Sequence, residues 1–551
     1  MEEQEEICHN KMVVVAIDFG TTYSGYAFSL TSQFCSDNMK ICTNTAWIAG
    51  SGGLMSYKAP TCVLLDKDKQ FQAFGYEAED RYAELAIENK HHDVYFFKKF
   101  KMLLHRNPYL SRDTMINDET GKSMLARVVF AHGIEYLKNH AMDLLNQQGF
   151  GLEEWEAGIM NDQLLIALEP EAASVFCRHL PDARGSDVFK SGSRYMVVDL
   201  GGGTADITVH EVDDRGKLRE LNNATGGAWG GTKVDAAFFQ LLTDIVGEEV
   251  MGMFWKDHKS DAIDLNREFE VKKRTIKKNM GEFVQIKIPI VLKEKYEKVI
   301  KKTFAEAIDE SMYKGRITII ADKLKFDSRL IQGLFRDPLD HLVEHIRDLL
   351  CKPSVKGSSA FLLVGGFSES PIVQDTIKEK FPKMKVIVPA EPSLAVLKGA
   401  VMYGHRPTTI TTRVARQTYG VAISKPFIEG HHPEDKKQST RGVVVCKDIF
   451  HKYVQEGDPL ELGEKQTMPF TSASSVNRIR VYASSDPDPI YVTDEGCSLL
   501  GEMILNLSMV ENSGNTIEVS MEFGGVEISV EAREKHSGRT VRSRFDFLSK
   551  N

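Results

Sequence analysis

The stretch Asp199 to Asp206, DLGGGTAD, joins two carboxylates to three glycines and a threonine. Glycine lacks a Cβ, so Gly201, Gly202 and Gly203 permit positive φ and let backbone amides approach an anion. Thr204 adds a hydroxyl donor. Asp199 and Asp206 suit a hydrated Mg²⁺ beside phosphates, because that ion keeps several waters and takes few protein carboxylates. A second stretch, Asp18 to Ser24, DFGTTYS, repeats the pattern about 180 residues earlier with Asp18, Gly20, Thr21 and Thr22. Two such turns facing each other would clamp one phosphate chain from both sides. The bland alternative is a pair of glycine-rich hairpins without ligand, which requires two separate motifs to mislead together.

These turns need strands to carry them. Tyr195 to Val198 is a short apolar run ended by Asp199; beyond the glycines, Ile207 and Val209 alternate with Thr208 and His210. Val13 to Ile17 likewise precedes Asp18, and Tyr26 and Phe28 resume a strand after the first turn. The repeat reads as an internal duplication. Ala126 to Leu145 has helical spacing, Leu164 to Leu168 is strand-like, and Glu169-Pro170-Glu171 opens a helix with acids where its dipole favours them. Thr225 to Asp235, TGGAWGGTKVD, supplies four more glycines. The basic run within Phe269 to Lys278 has the solvated helix face as its ordinary explanation. Ser328 to Leu350 reads as one amphipathic helix. Phe361 to Val364 is a strand leading into the turn Gly365 to Pro371, Val386 to Val388 another strand, and Pro392 to Tyr403 a helix rich in small residues. After about Gly404 the composition changes. From about 476 short alternating strands dominate, the clearest flanking Gly524-Gly525, a hairpin signal.

A chain of 551 residues is long enough for three or four domains. The net charge of -9 speaks against a general nucleic-acid binder. Eight scattered cysteines form no CxxC pair, so neither a zinc site nor a redox dithiol is indicated. The acidic start MEEQEEICHNK shows no apolar signal segment, and no run approaches the length of a transmembrane helix. The expected location is the cytoplasm, with the nucleus as a second compartment.

DFGTTYS and DLGGGTAD resemble the first and second phosphate loops of the 70-kDa heat-shock chaperones, within the actin-like ATPase superfamily. VGGFSESP, Val364 to Pro371, is similar to that family's adenosine loop, and Glu169-Pro170 and Pro392 to Tyr403 look like its connecting segments. YFFKKFKMLLH, LLIALEPEAAS and VGGFSESPIVQ further resemble its divergent heat shock 70 kDa protein 12 branch. The resemblance implies an α/β fold: a polar tail at 1–11, an actin-like lobe I at 12–190 and a lobe II at 191–404. Lobe II would contain a nucleotide-clasping subdomain at about 236–330, and a mainly-β domain would follow at 405–551. It implies ATP or ADP with Mg²⁺ as cofactors. Gly20, Thr21, Thr22 and Tyr23 would line the phosphates from one lobe and Gly201, Gly202, Gly203 and Thr204 from the other. Asp18, Asp199 and Asp206 would hold the metal through water. Lys98 aligns with the catalytic lysine and Glu169 with a water-positioning acid, beside Asp199 and Thr204. Glu270, Lys273 and Arg274 align with the helix that clasps the nucleoside; Gly230, Gly231, Gly365, Gly366 and Ser368 would floor its pocket.

Four departures from the family pattern stand out. Glu369 replaces an arginine that stacks on adenine, implying a weaker or differently built contact. Lys277 replaces a serine near the adenosine. Gly151 to Met160 stands where the family has a strand, a Val-Pro-Ala turn and most of a helix. The family's apolar interdomain linker is not recognisable around 404–418, and no helical lid ends the chain. Three functions are compatible with this reading. One is a chaperone-like, weakly hydrolysing ATPase that binds protein clients through the β domain. Another is a nucleotide-binding adaptor with little hydrolysis. The third is a small-molecule kinase, against which the DFGTTYSG wording and the β tail speak. The sequence does not separate the first two.

Overall fold

The computed structural model describes residues 11–49, 54–104, 110–148, 164–181, 187–440, 442–472, 476–507, 515–523 and 527–545. The chain forms two compact units. One is Met1–Pro108, Asp113–Thr208 and Ala224–Pro407; the other is Tyr109–Arg112, Val209–Asn223 and Thr408–Asn551.

In the first unit, strands Val13–Phe19 and Tyr23–Leu30 pair antiparallel, with Asp18 opposite Gly25. Alternation along the second strand sends Tyr26 and Phe28 into a core with Val63, Phe74, Phe97, Val129 and Leu137. Helix Ala126–Gln147 delivers Val129, Leu137, Ala141 and Leu145 to that core from one face, as its spacing requires. Burying each such aliphatic or aromatic side chain contributes about 1.5–3 kcal/mol, which makes the strand pair a rigid base for the turn at its end. Thr61 braces the turn: its hydroxyl donates to Gly20 O at 2.8 Å, and its amide donates to Thr22 O at 2.8 Å.

The second turn rises from strand Arg194–Leu200, whose residues from Tyr195 onward are all buried. This strand pairs in parallel with Ser358–Val364, with Asp199 beside Val364, and Ser358–Val364 pairs in parallel with Lys385–Ile387. On its other side lie Ala205–Val212 and Leu218–Gly227. A continuous apolar run is what a sheet covered on both faces requires. Helices Glu169–Cys177 and Ala395–His405 cross where Gly399 meets Ala172: a Cβ at 399 would lie 1.7 Å from the Ala172 carbonyl oxygen. That crossing sets the start of the first helix, and so Glu169.

Three expectations change. Leu164 to Leu168 is not a strand; Leu164, Leu165 and Ile166 are exposed, and the run pairs with none of the described strands. Apolar composition marks a candidate strand, but only a partner ladder makes one. Ser328 to Leu350 is two helices, Ser328–Gly333 and Arg336–Cys351, with Phe335 between them fully buried. The turn at Pro392 is a 3-10 segment, and the α-helix starts at Ala395. Gly151 to Met160 and Gly524-Gly525 lie outside the described residues.

The second unit is built from strands, the first after Thr408 being Ile410–Val414. Ile410–Val414 joins the Leu218 end of Leu218–Gly227 in parallel and Pro459–Glu461 antiparallel. Asn515–Glu522 pairs antiparallel with Ile528–Glu534, Met521 opposite Val530, and the inward set Ile517, Val519, Met521 and Val530 fills a core with Tyr453, Val481 and Leu505. Among the described residues no helix is long and apolar enough to cross a membrane.

Candidate functional site

The two glycine-rich turns meet. A Cβ on Gly202 would lie 1.9 Å from Thr22 Oγ1, and one on Gly203 would lie 2.7 Å from Thr21 Cγ2. Close approach, not backbone conformation, is therefore what demands glycine: contrary to expectation, none of Gly201, Gly202 and Gly203 adopts a positive φ. Behind the turn, the amides of Gly230, Gly231 and Thr232 donate to the carbonyls of Gly203, Gly201 and Gly202 at 3.3, 3.2 and 2.8 Å. The amides of Gly202 and Gly203 are taken by no acceptor among the described residues.

Four carboxylates gather beside the turns. Asp18 and Asp199 come from the C-terminal ends of strands Val13–Phe19 and Arg194–Leu200, Asp206 from Ala205–Val212 and Glu169 from the first residue of its helix. Asp199 is 5% exposed, and its Oδ2 has no hydrogen-bond partner. Burial, then Glu169, Asp206 and Asp18, push the Asp199 carboxyl well above the usual carboxylate range. Glu169 is raised by the surrounding protein and by Asp18, although its side chain opens onto solvent. Two lysines oppose this. Lys58 Nζ donates to Asp18 Oδ2 at 2.5 Å, and Lys101 Nζ donates to Phe19 O at 2.7 Å and lies 3.8 Å from Glu169. Lys98, the aligned lysine, instead pairs with Glu119 at 3.3 Å. The short segment Tyr95–Lys98 is a strand, and the chain leaves it through Lys99 at φ 51 into a 3-10 turn that carries Lys101 toward Glu169.

A cavity of about 150 Å³ runs from Thr22, Gly202 and Gly231 to the helix Lys259–Lys273 and the residue after it, Arg274. There Glu270 receives Lys273 at 2.6 Å and Arg274 at 2.8 Å, and Lys273 donates to Asp235 at 2.6 Å. Burial alone would raise the Glu270 carboxyl; the two cations outweigh it and hold it at about 2. The Arg274 guanidinium lies 5.6 Å over the Tyr23 ring and 3.7 Å from Glu369. Arg267, one turn before Glu270, reaches Glu79 at 2.9 Å and Asp80 at 2.7 Å. Two buried hydroxyls on the cavity wall, Tyr76 and Ser370, have no protein partner.

Of the residues singled out by sequence, Thr22, Tyr23, Lys98, Gly202, Gly231, Glu270, Lys273, Arg274 and Gly366 line this cavity. Gly20, Thr21, Gly201, Gly203, Thr204 and Gly230 build the turns behind it. Gly365, at φ 82, lies against Asp199 and Leu200. The Ser368 hydroxyl turns away to donate to Val364 O at 2.6 Å; Ser370 holds the wall instead. Sequence reasoning missed Lys58, Tyr76, Glu79, Asp235 and Arg267. Arg267 alone had a local signal, lying one helical turn before Glu270; the others come from distant segments.

Comparison with known proteins gives the same direction. Residues 183–408 match the family described as Hsp70 protein. The chain is 32% identical to human heat shock 70 kDa protein 12B over 98% of its length and 91% of that protein's. It is 31% identical to mouse heat shock 70 kDa protein 12A, over 98% of the chain and 92% of that protein. The chain belongs to the Hsp70 family. To the chaperone protein DnaK of Thermotoga neapolitana, this Hsp70-family chain is 28% identical over 55% of its length and 47% of that protein's. The alignment to 12B spans 630 positions against a chain of 551, so the relative carries segments without counterpart here.

The residues fit the nucleotide and Mg²⁺ that the family implies. Asp199 Oδ2 and the Tyr76 and Ser370 hydroxyls are buried and lack partners, the amides of Gly202 and Gly203 are free, and the turns are too close for any side chain. Among the described residues no three His, Cys, Asp or Glu side chains are close enough together to hold a metal ion directly.

Proposed function

We propose that this protein binds ATP or ADP with Mg²⁺ between two actin-like lobes and hydrolyses ATP slowly, in the service of binding protein partners. The observation that carries this reading is the apposition of Thr21 and Thr22 with Gly202 and Gly203 beside four carboxylates. Mg²⁺, when bound, would neutralise phosphate charge through its waters against Asp18, Asp199 and Asp206. The turns would hold the phosphates with amides and threonine hydroxyls. Glu270, Lys273 and Arg274 would clasp the nucleoside, with Tyr76 and Ser370 as further hydrogen-bonding groups. Phosphoryl transfer rests on positioning and charge stabilisation, so Glu169 would orient the attacking water and Lys101 would offset developing charge. The relatives' names, heat shock protein and chaperone protein, support a partner-binding role, which we assign to the strands of Thr408–Asn551.

A nucleotide-binding adaptor without useful hydrolysis is the second reading, favoured by Lys58, which already engages Asp18. Equilibrium binding of ATP and ADP beside single-turnover hydrolysis of bound ATP decides. Binding with release of phosphate supports the ATPase, binding alone the adaptor, and no binding removes both.

A further inference from the structure

No motif singles out Lys58, yet its ammonium is set more deeply in the acid group than that of Lys101. The strand register places Gly25 opposite Asp18. A Cβ on Gly25 would lie 3.0 Å from Lys58 Cγ, so the glycine opens the lane along which the lysine stem runs. Nζ then reaches Asp18 Oδ2 at 2.5 Å, with the two side chains 14% and 9% exposed. The backbone is fixed on both sides. The Lys58 amide donates to Ser56 Oγ at 3.2 Å, and the next two residues, Ala59 and Pro60, pair with Ser24 and Tyr23. A lysine whose stem, backbone and partner are all fixed is not a snorkelling surface side chain.

This placement bears on the cation. An ammonium against Asp18 Oδ2 takes up one of the two carboxylate oxygens that could accept from metal-bound water. Asp199 keeps its acceptor, because Oδ2 has no partner. Lys58 also acts on Asp199 and Glu169, opposing the mutual repulsion of the carboxylates. We propose that Lys58 is the resident counter-cation of the acid group: it does on the Asp18 side what a divalent ion does elsewhere, so a nucleoside di- or triphosphate binds with little dependence on divalent metal. The inference rests on the nucleotide reading above.

The test uses the full chain, with ADP and Mn²⁺ as probes. Chelation by EDTA should weaken ADP binding to the wild type by less than about threefold, but to Lys58→Met by about tenfold or more, the range of ordinary site coupling. Wild-type binding that collapses on chelation as in Lys58→Met overturns the proposal. Mn²⁺ binding without nucleotide, read by electron paramagnetic resonance, should strengthen about tenfold in Lys58→Met and stay at the wild-type level in Lys58→Arg. Equal Mn²⁺ affinity in wild type and Lys58→Met overturns it as well. Lys58→Gln, which keeps a donor for Asp18, replaces Lys58→Met if the latter does not fold. Should ADP bind no form of the protein, the nucleotide reading fails, and the Mn²⁺ arm still decides the role of Lys58.

Discussion

At the clasp end of the cavity, Glu270, Asp235 and Glu79 each have a cation within 3 Å. Beside the glycine turns, outside the cavity lining, Asp18, Glu169, Asp199 and Asp206 share Lys58 and Lys101, and one buried oxygen has no partner. The same residue types thus differ in how fully cations pair them. In the clasp Glu270 is held down at about 2 while burial still raises Asp235 and Glu79 against their cations; at the acid group Asp199 and Glu169 are pushed up by burial and by one another. A buried carboxylate costs free energy unless paired or hydrogen-bonded. The clasp is therefore finished as protein, whereas the acid end is left unbalanced, the condition expected of a site that a ligand completes.

The most severe way to break the arrangement is Gly202→Val. With Thr22 Oγ1 1.9 Å from the first added atom, the turns must separate, and ATP binding should vanish in calorimetry while the β unit still folds. Retained affinity in a folded Gly202→Val protein would show that the turns do not form the clamp.

Lys101→Ala tests the acid end next. Loss of one charge-stabilising donor slows well-studied enzymes about 10²–10³-fold, and single-turnover hydrolysis should fall by that order. Lys98→Ala should do much less, because Lys98 belongs to Glu119. The reverse ranking would return the catalytic role to Lys98.

Glu270→Gln probes the finished end. It leaves Lys273, 8% exposed, with Asp235 as its remaining carboxylate. Removing one partner of a buried ion pair costs about 3–5 kcal/mol; with Asp235 retained, chemical denaturation should show about 3 kcal/mol. The pH dependence has a definite sign. A carboxyl held below its unfolded value stabilises the fold above the unfolded pKa, here near 4.5, and that contribution is lost as the pH falls toward about 2. Melting temperatures measured from pH 5 downward should therefore fall more steeply in the wild type than in Glu270→Gln. Raised carboxyls at the acid end contribute the opposite slope, since the folded state takes up their protons first.

The smallest effect is expected at the cavity wall. Ser370→Ala and Tyr76→Phe remove hydroxyls without protein partners, so stability should hold while ADP affinity drops by about 0.5–1.5 kcal/mol each, the worth of a typical hydrogen bond. An unchanged affinity would place the ligand away from this wall.

Much of the frame was legible in the sequence because it is written locally. An apolar run stopped by aspartate and followed by glycines has one reading over a few residues, and strands Val13–Phe19 and Arg194–Leu200 lie where that reading puts them. Helix Ala126–Gln147 follows from spacing alone. The clasp helix carries Glu270 and Lys273, with Arg274 next after its end, at helical intervals, so their pairing is also a local fact. Leu164 to Leu168 shows the limit: its composition is that of a strand, but pairing depends on a neighbour that the run itself does not specify.

What the sequence determined by itself, then, is the identity of the turns, the carboxylates at their ends and the family. Which lysine serves them was decided by tertiary structure. Lys98 and Lys101 are three residues apart in one basic, aromatic segment, and only the left-handed step at Lys99 and the 3-10 turn after it send one to Glu119 and the other to Glu169. Lys58 became part of the site because a register places Gly25 opposite Asp18 and leaves a lane for its stem. The physical reason is range: backbone propensity and hydrophobic period act over a few residues. The charge balance of a buried site is instead set by distances of a few ångströms between segments tens to hundreds of residues apart.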